Sequence, residues 1–159
     1  MHITVICVGK IKEKFFTAAV EEYKKRLSRY CRLDIVEVVD EKTPDKASPV
    51  LEEQIRRKEG ERILRNVRED AYKITLEIAG EMPDSEELSG KLEKLGITGI
   101  SHIQFIIGGS LGLSGEVLAV SDYRLSFSRM TFPHQLMRVI LLEQLYRSYR
   151  IMKGEPYHK

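Results

Sequence analysis

Apolar and polar positions follow two rhythms along this chain, and the two take turns. His2 to Val8 (HITVICV) is a β-branched run ending at Gly9, the pattern of a buried first strand. From Glu13 to Tyr30 the spacing changes. Phe16, Ala19, Val20, Tyr23, Leu27 and Tyr30 recur every three or four residues, with lysines and glutamates between them, which predicts an amphipathic helix. Leu33 to Val39 returns to a strand pattern, and Asp40 to Pro49, with Pro44 and Pro49 among charges, predicts a loop. Leu51 to Arg68 is a highly charged helical segment interrupted by Gly60, so an exposed helix is expected.

The alternation continues to the end. Tyr72 to Ile78 (YKITLEI) predicts a third strand ending at Gly80; Ser85, followed by Leu88, Leu92 and Leu95, predicts a short capped helix. His102 to Ile107 (HIQFII) is a fourth strand, Gly108 to Gly115 a glycine-rich loop, and Tyr123 to Phe127 a short fifth strand with Tyr123, Leu125 and Phe127 on one side. Pro133 opens a final helix, which Gly154 and Pro156 close. Strand and helix in steady alternation predict an α/β fold with a mainly parallel sheet. With 159 residues and no repeat or linker, one domain over 1–159 is expected.

Composition narrows the classes. At 42% hydrophobic and 31% charged the chain reads as soluble, and no apolar run approaches the ~20 residues of a membrane span. The start lacks a basic leader and a small-residue cleavage site, which predicts a cytoplasmic protein. Cys7 and Cys31 are too few for a disulfide framework and lack the paired spacing of a zinc site, so no metal is expected. The formal charge of +2 is uneven: residues 121–159 hold seven Lys or Arg against three Asp or Glu. That asymmetry permits a polyanionic partner, and a solvated helix face would also produce it.

Three places could carry chemistry. Gly108-Gly109-Ser110-Leu111-Gly112-Leu113 follows a buried strand, where α/β sheets place ligand loops, but it is neither GxGxxG nor a P-loop. A phosphate-gripping role is disfavoured, and close backbone approach to an uncharged adenosine stays open. Ser126, Ser128 and Thr131 bracket Arg129 and Met130 in a loop of hydroxyls and backbone donors that suits binding more than hydrolysis. A Ser110, His134 and Asp122 triad is formally available but lacks a GxSxG elbow. For His134 a capping or core role stands beside a functional one. Between Leu136 and Tyr146 only Arg138, Glu143 and Gln144 interrupt apolar residues, so part of the helix is expected to form a homodimer interface. Beyond the helix stop lie Tyr157 and His158, for which packing supplies little reason.

The combination of GGSLGL (108–113), LSFSRMTFPHQLMR (125–138), EQLYRSYRI (143–151) and GEPYHK (154–159) resembles the ribosomal RNA large subunit methyltransferase H family of the SPOUT superfamily. The likeness runs from Val8-Gly9-Lys10 to the last residue. It implies a SPOUT-type parallel sheet with a C-terminal trefoil knot, a homodimer, and an S-adenosylmethionine pocket. By position, the cofactor would lie against Leu76, Gly108, and the run Phe127, Ser128, Arg129, Met130, Thr131 and Phe132. It also implies methyl transfer to N3 of a pseudouridine in the intersubunit stem-loop of 23S rRNA on the assembled ribosome. On that reading Tyr157 positions the base, His158 assists proton removal, and Arg147, Arg150, Lys153 and Lys159 hold phosphates. A tail that only covers the knot or the partner subunit is the plainer alternative. The rival function is a non-catalytic, ribosome-associated RNA-binding module of the same fold.

Overall fold

The strands β1 (His2–Val8) and β4 (His102–Ile107) occupy the middle of the sheet, because their side chains are apolar on both faces. Around them lie β2 (Arg32–Val38) on one side and β3 (Tyr72–Glu81), then β5 (Tyr123–Leu125), on the other. The order is β2-β1-β4-β3-β5, and every pair is parallel. The computed structural model describes all residues from 1 to 159. It is an α/β fold.

Helices cover both faces. On one, α1 (Lys14–Leu27), α3 (Ser85–Ile97) and α5 (His134–Met152) bury Leu27, Leu88, Leu92, Leu141, Leu142 and Leu145 against Ile3, Val5, Ile103 and Phe105. On the other, α2 (Pro49–Leu64) and α4 (Gly115–Ala119) bring Ile63 and Val117 onto Ile6, Val8 and Ile106. Fully burying one such side chain contributes ~1.5–3 kcal/mol, so three fully buried leucines fix α5 to the sheet firmly. No helix is long and apolar enough to cross a membrane. Both cysteines are free, and burial pushes the Cys7 thiol up to about 11.

Several local expectations change. Gly60 does not interrupt α2, which starts with Ser48 accepting from the Leu51 N–H and runs through to Leu64. A Cβ on Gly60 would stand 2.4 Å from Ser114 Oγ, so the glycine permits close packing against α4. Nor is α2 wholly exposed: Ile55, Glu59, Gly60 and Ile63 are buried. The cap of α3 is Asp84, in a capping box with Glu87, and the Ser85 hydroxyl instead donates to Gln144 Oε1 at 2.8 Å. Helix α4 went unforeseen directly after the glycine-rich stretch, and β5 is three residues long.

Strand β3 continues through Gly80. Its pairing with β5 slips: Leu125 is opposite Leu76 and again opposite Glu81, so Glu77 to Gly80 bulge out of the ladder. Arg138, which reads in sequence as a polar break in an apolar helix, is 2% exposed. Its guanidinium donates to Glu37 Oε2 at 2.7 Å, to the Val8 carbonyl at 2.9 Å and to the Gly9 carbonyl at 2.6 Å. It is the pin that holds α5 to the carboxyl end of β1.

Candidate functional site

At the carboxyl ends of β3, β4 and β5, three successive loops wall one cavity of about 730 Å³. The bulged segment of β3 supplies Glu77, Ile78 and Ala79; the glycine loop supplies residues 108–113; and the chain after β5 supplies Ser126 to Ser128 and Met130 to His134. Leu76, Ile107, Leu125 and Met137 form its apolar wall. The bulge thus contributes three consecutive residues to the wall.

The glycine loop is tight. A Cβ on Gly108 would lie 2.8 Å from the carbonyl carbon of Gly112 and 2.9 Å from its oxygen, so only glycine fits. Gly112 adopts φ +81° and returns its N–H to the Gly109 carbonyl at 3.1 Å. Gly109 and Gly112 face each other as a one-pair bridge, whereas the N–H groups of Gly108, Ser110 and Leu111 make no backbone bond within the chain. The loop after β5 is held by its own hydroxyls: Ser126 Oγ donates to the Ser128 carbonyl at 3.0 Å, and Ser128 Oγ accepts from the Met130 N–H at 2.9 Å. Ser126 is further tied to β3 through the Glu81 carbonyl at 2.8 Å.

Charge in the wall is sparse and of one sign. Glu77 is its only charged residue, with no Lys or Arg in the wall. Its Oε2 is buried without a hydrogen-bond partner, 3.7 Å from Arg124. Such a wall suits an uncharged ring system bearing a cationic group and opposes a polyphosphate. His134 also lines the cavity, and burial, helped by the nearby Arg138 cation, holds its imidazole below the usual range. It is therefore neutral near pH 7.

Of the residues expected around a cofactor, Leu76, Gly108, Phe127, Ser128, Met130, Thr131 and Phe132 all line the cavity. Arg129 is exposed and does not. Ser110 and His134 share the cavity, but Asp122 is absent from its wall. The Asp122 carboxylate accepts from the Lys73 N–H at 2.8 Å, which removes the hydrolase triad. Glu77 to Ala79, Ile107, Leu125 and Met137 were not foreseen; only Gly80 hinted at irregularity in β3.

The C-terminal tail folds back on α5. The Tyr157 hydroxyl donates to Glu143 Oε1 at 3.1 Å, its ring meets Tyr146 edge-on at 5.0 Å, and Arg147 sits 4.6 Å over its face. Burial and the Glu143 carboxylate hold the Tyr157 phenol above its ordinary range. His158 Nδ1 is 3.4 Å from Arg147, and its Nε2 is 3.7 Å from Glu86. Arg147 pairs with Glu143 at 2.7 Å and Arg150 with Glu155, while Lys153 and Lys159 are exposed. No residue after Met137 lines the cavity of the same chain. Glu143 lies six residues further along the helix, ~9 Å at 1.5 Å per residue. Nowhere do three or more His, Cys, Asp or Glu side chains converge as a metal site would require.

Against known proteins, the family described as "Predicted SPOUT methyltransferase" matches residues 1–158. A ribosomal RNA large subunit methyltransferase H from Bifidobacterium adolescentis is 62% identical over 159 residues, the full length of both chains. Its counterpart from Clostridium kluyveri is 60% identical, again over both full lengths. Among solved structures, a methylase family protein from Haemophilus influenzae Rd KW20 superposes with a TM-score of 0.57 at 13% identity, covering 99% of this chain and 70% of that one. At that identity the likeness speaks for the fold. Sequence over its whole length, a parallel sheet, and a glycine-loop cavity at the carboxyl ends of its strands thus converge: the chain belongs to the SPOUT methyltransferases, in the ribosomal RNA large subunit methyltransferase H family.

Proposed function

We propose that this protein is an S-adenosylmethionine-dependent methyltransferase that modifies N3 of a pseudouridine in 23S rRNA on the assembled ribosome, acting as a homodimer with a knotted C-terminal segment. The relatives' names supply the rRNA substrate; the base and atom come from the family resemblance. The observation that carries the cofactor reading is the cavity wall, with free backbone donors on the glycine loop, one carboxylate and no cation.

Bound there, S-adenosylmethionine supplies an electrophilic methyl group on a cationic sulfur. The chain then has mainly to align and to exclude water. Leu76, Ile107, Leu125 and Met137 would hold its apolar surface, the amides of Gly108, Ser110 and Leu111 would donate to its polar groups, and Glu77 would complement its positive charge. The walls include loops that follow both β4 and β5, the arrangement a threaded C-terminal segment would create.

Tyr157 and His158 position the base and accept its N3 proton. Because the tail lies outside its own cavity, it serves the cavity of the partner subunit. The half-buried Leu136 and Ile140 of α5, which do not pack on the chain's own core, are the surface that brings the two together. Arg147 and Arg150 orient the tail through Glu143 and Glu155, and with Lys153 and Lys159 they hold phosphates. The modest net charge of +2 suits recognition of an assembled surface over seizure of free RNA.

Removing Tyr157 to Lys159 tests the division of labour. Methyl transfer to ribosomes is expected to disappear while calorimetric S-adenosylmethionine affinity is unchanged; undiminished turnover would sink the assignment. A parent protein that binds ribosomes but no S-adenosylmethionine would make it the non-catalytic module instead.

A further inference from the structure

Helix α2 carries a side chain that the cavity alone does not explain. Glu59 is 4% exposed, and only one of its oxygens has a partner: Oε2 accepts from the Glu41 N–H at 3.0 Å. Oε1 is buried with none. An unpartnered buried carboxylate oxygen is costly and marks a position held by its surroundings for some other reason. Burial is the main cause that holds this carboxyl above the usual range, opposed by the Glu41 N–H and reinforced by Asp40.

What surrounds it is the floor of the glycine loop. A Cβ built on Gly109 would stand 3.1 Å from Oε1 and 3.3 Å from Oε2, so the loop backbone rests directly on the carboxylate. The next residue supports the other end of the same loop. A Cβ on Gly60 would stand 2.4 Å from the Oγ of Ser114, whose side chain caps α4 by accepting from the Val117 N–H at 3.3 Å. Glu59 and Gly60, adjacent on α2, thus brace the loop at its start and at its finish. Through Glu41, the same carboxylate also ties in the connection between β2 and α2.

We propose that Glu59 is a positioning residue for the methyl-donor pocket: its carboxylate sets the height of Gly109, and thereby the direction of the unpaired amides of Gly108, Ser110 and Leu111 on either side of it. Helix α2, whose charge suggested a solvated surface element, is the brace of the site. This rests on the cofactor reading above. Nothing in it requires Glu59 to touch the ligand, since Glu59 stands behind the wall.

The test is a double-mutant cycle in the full-length protein, read by calorimetry with S-adenosylmethionine and by ligand-free thermal unfolding. Glu59→Ala is expected to weaken binding at least ~10-fold, the scale on which the loss of a supporting residue registers. Glu59→Gln keeps the volume and an acceptor for the Glu41 N–H, and is expected to weaken it less. Gly109→Ala weakens binding in the parent and weakens it by a clearly smaller factor in the Glu59→Ala background, where the obstructing oxygens are gone. Val8 Cγ1, 3.2 Å from the same Cβ position, is present in both backgrounds and cancels. Should the alanine variant not fold, Glu59→Gln alone carries the affinity comparison, and parent-like affinity there overturns the proposal. The Gly109→Ala arm is then left out, because the glutamine amide keeps the obstructing atoms. Parent-like affinity in both Glu59 variants overturns the proposal, as does an equal penalty for Gly109→Ala in both backgrounds. If the parent binds no S-adenosylmethionine, the cofactor reading fails, and the unfolding cycle still decides whether Glu59 and Gly109 are coupled.

Discussion

Gly108→Ala replaces a hydrogen with a methyl group at the tightest point of the cavity wall. The new Cβ would lie 2.8 Å from the Gly112 carbonyl carbon, 2.9 Å from its oxygen and 3.1 Å from Leu113 Cδ2. Two of these are backbone atoms and cannot rotate aside. Comfortable carbon contacts begin at about 3.5 Å, so the two limbs of the loop must part by roughly 0.7 Å. The Gly112 to Gly109 hydrogen bond, at 3.1 Å, has little length to give. Overpacking of this kind costs about 1–3 kcal/mol in stability, and misplacement approaching 1 Å costs up to ~100-fold where alignment matters. Calorimetry with S-adenosylmethionine should therefore show affinity reduced by roughly 10- to 100-fold, in a protein whose circular dichroism remains native. Affinity within twofold of the parent would refute the claim that the glycine loop meets the cofactor.

Two further outcomes follow from buried groups. Arg138→Met removes the guanidinium that Glu37 and the Val8 and Gly9 carbonyls share, and breaking a buried pair costs about 3–5 kcal/mol. Because Glu37 is partly solvated, the lower end applies, and urea unfolding should show a loss of about 3 kcal/mol; a loss under 1 kcal/mol would remove Arg138 as the pin of α5. His134 has a folded-state pKa below its ordinary value, so protonation favours the unfolded chain. Stability should fall as pH drops through about 6.5 and level off below the folded value, and the difference between parent and His134→Gln isolates this share from His102. A difference that does not vary with pH between 7 and 5 would contradict a desolvated imidazole at the cavity.

The sheet was legible because β1 and β4, buried on both faces, are nearly continuous β-branched runs closed by glycine. The glycine loop and the hydroxyl loop were legible for the same kind of reason, since residue types that permit close backbone approach stand where α/β sheets put ligands. What escaped was tertiary. Gly60 looks like a break in a charged helix until Ser114 is placed against it, and Arg138 looks like a solvated interruption until three oxygens surround it. The bulge from Glu77 to Gly80 depends on β5 pairing twice through Leu125, a relation between distant segments that the local residues do not encode. Tyr157 seemed free beyond a helix stop, yet Glu143 and Tyr146, a full turn and more back along α5, fold it onto the helix.

The measurement that bears most directly on the account is methyl transfer itself. The purified protein is incubated with S-adenosylmethionine bearing an isotopically labelled methyl group, and with ribosomes from cells lacking the gene; the rRNA is then digested and mapped by mass spectrometry. The expected result is one labelled methyl on N3 of a single 23S pseudouridine, formed on assembled ribosomes and lost with Gly108→Ala. Absence of transfer, a methyl on another atom or nucleotide, or equally fast labelling of naked rRNA would contradict it.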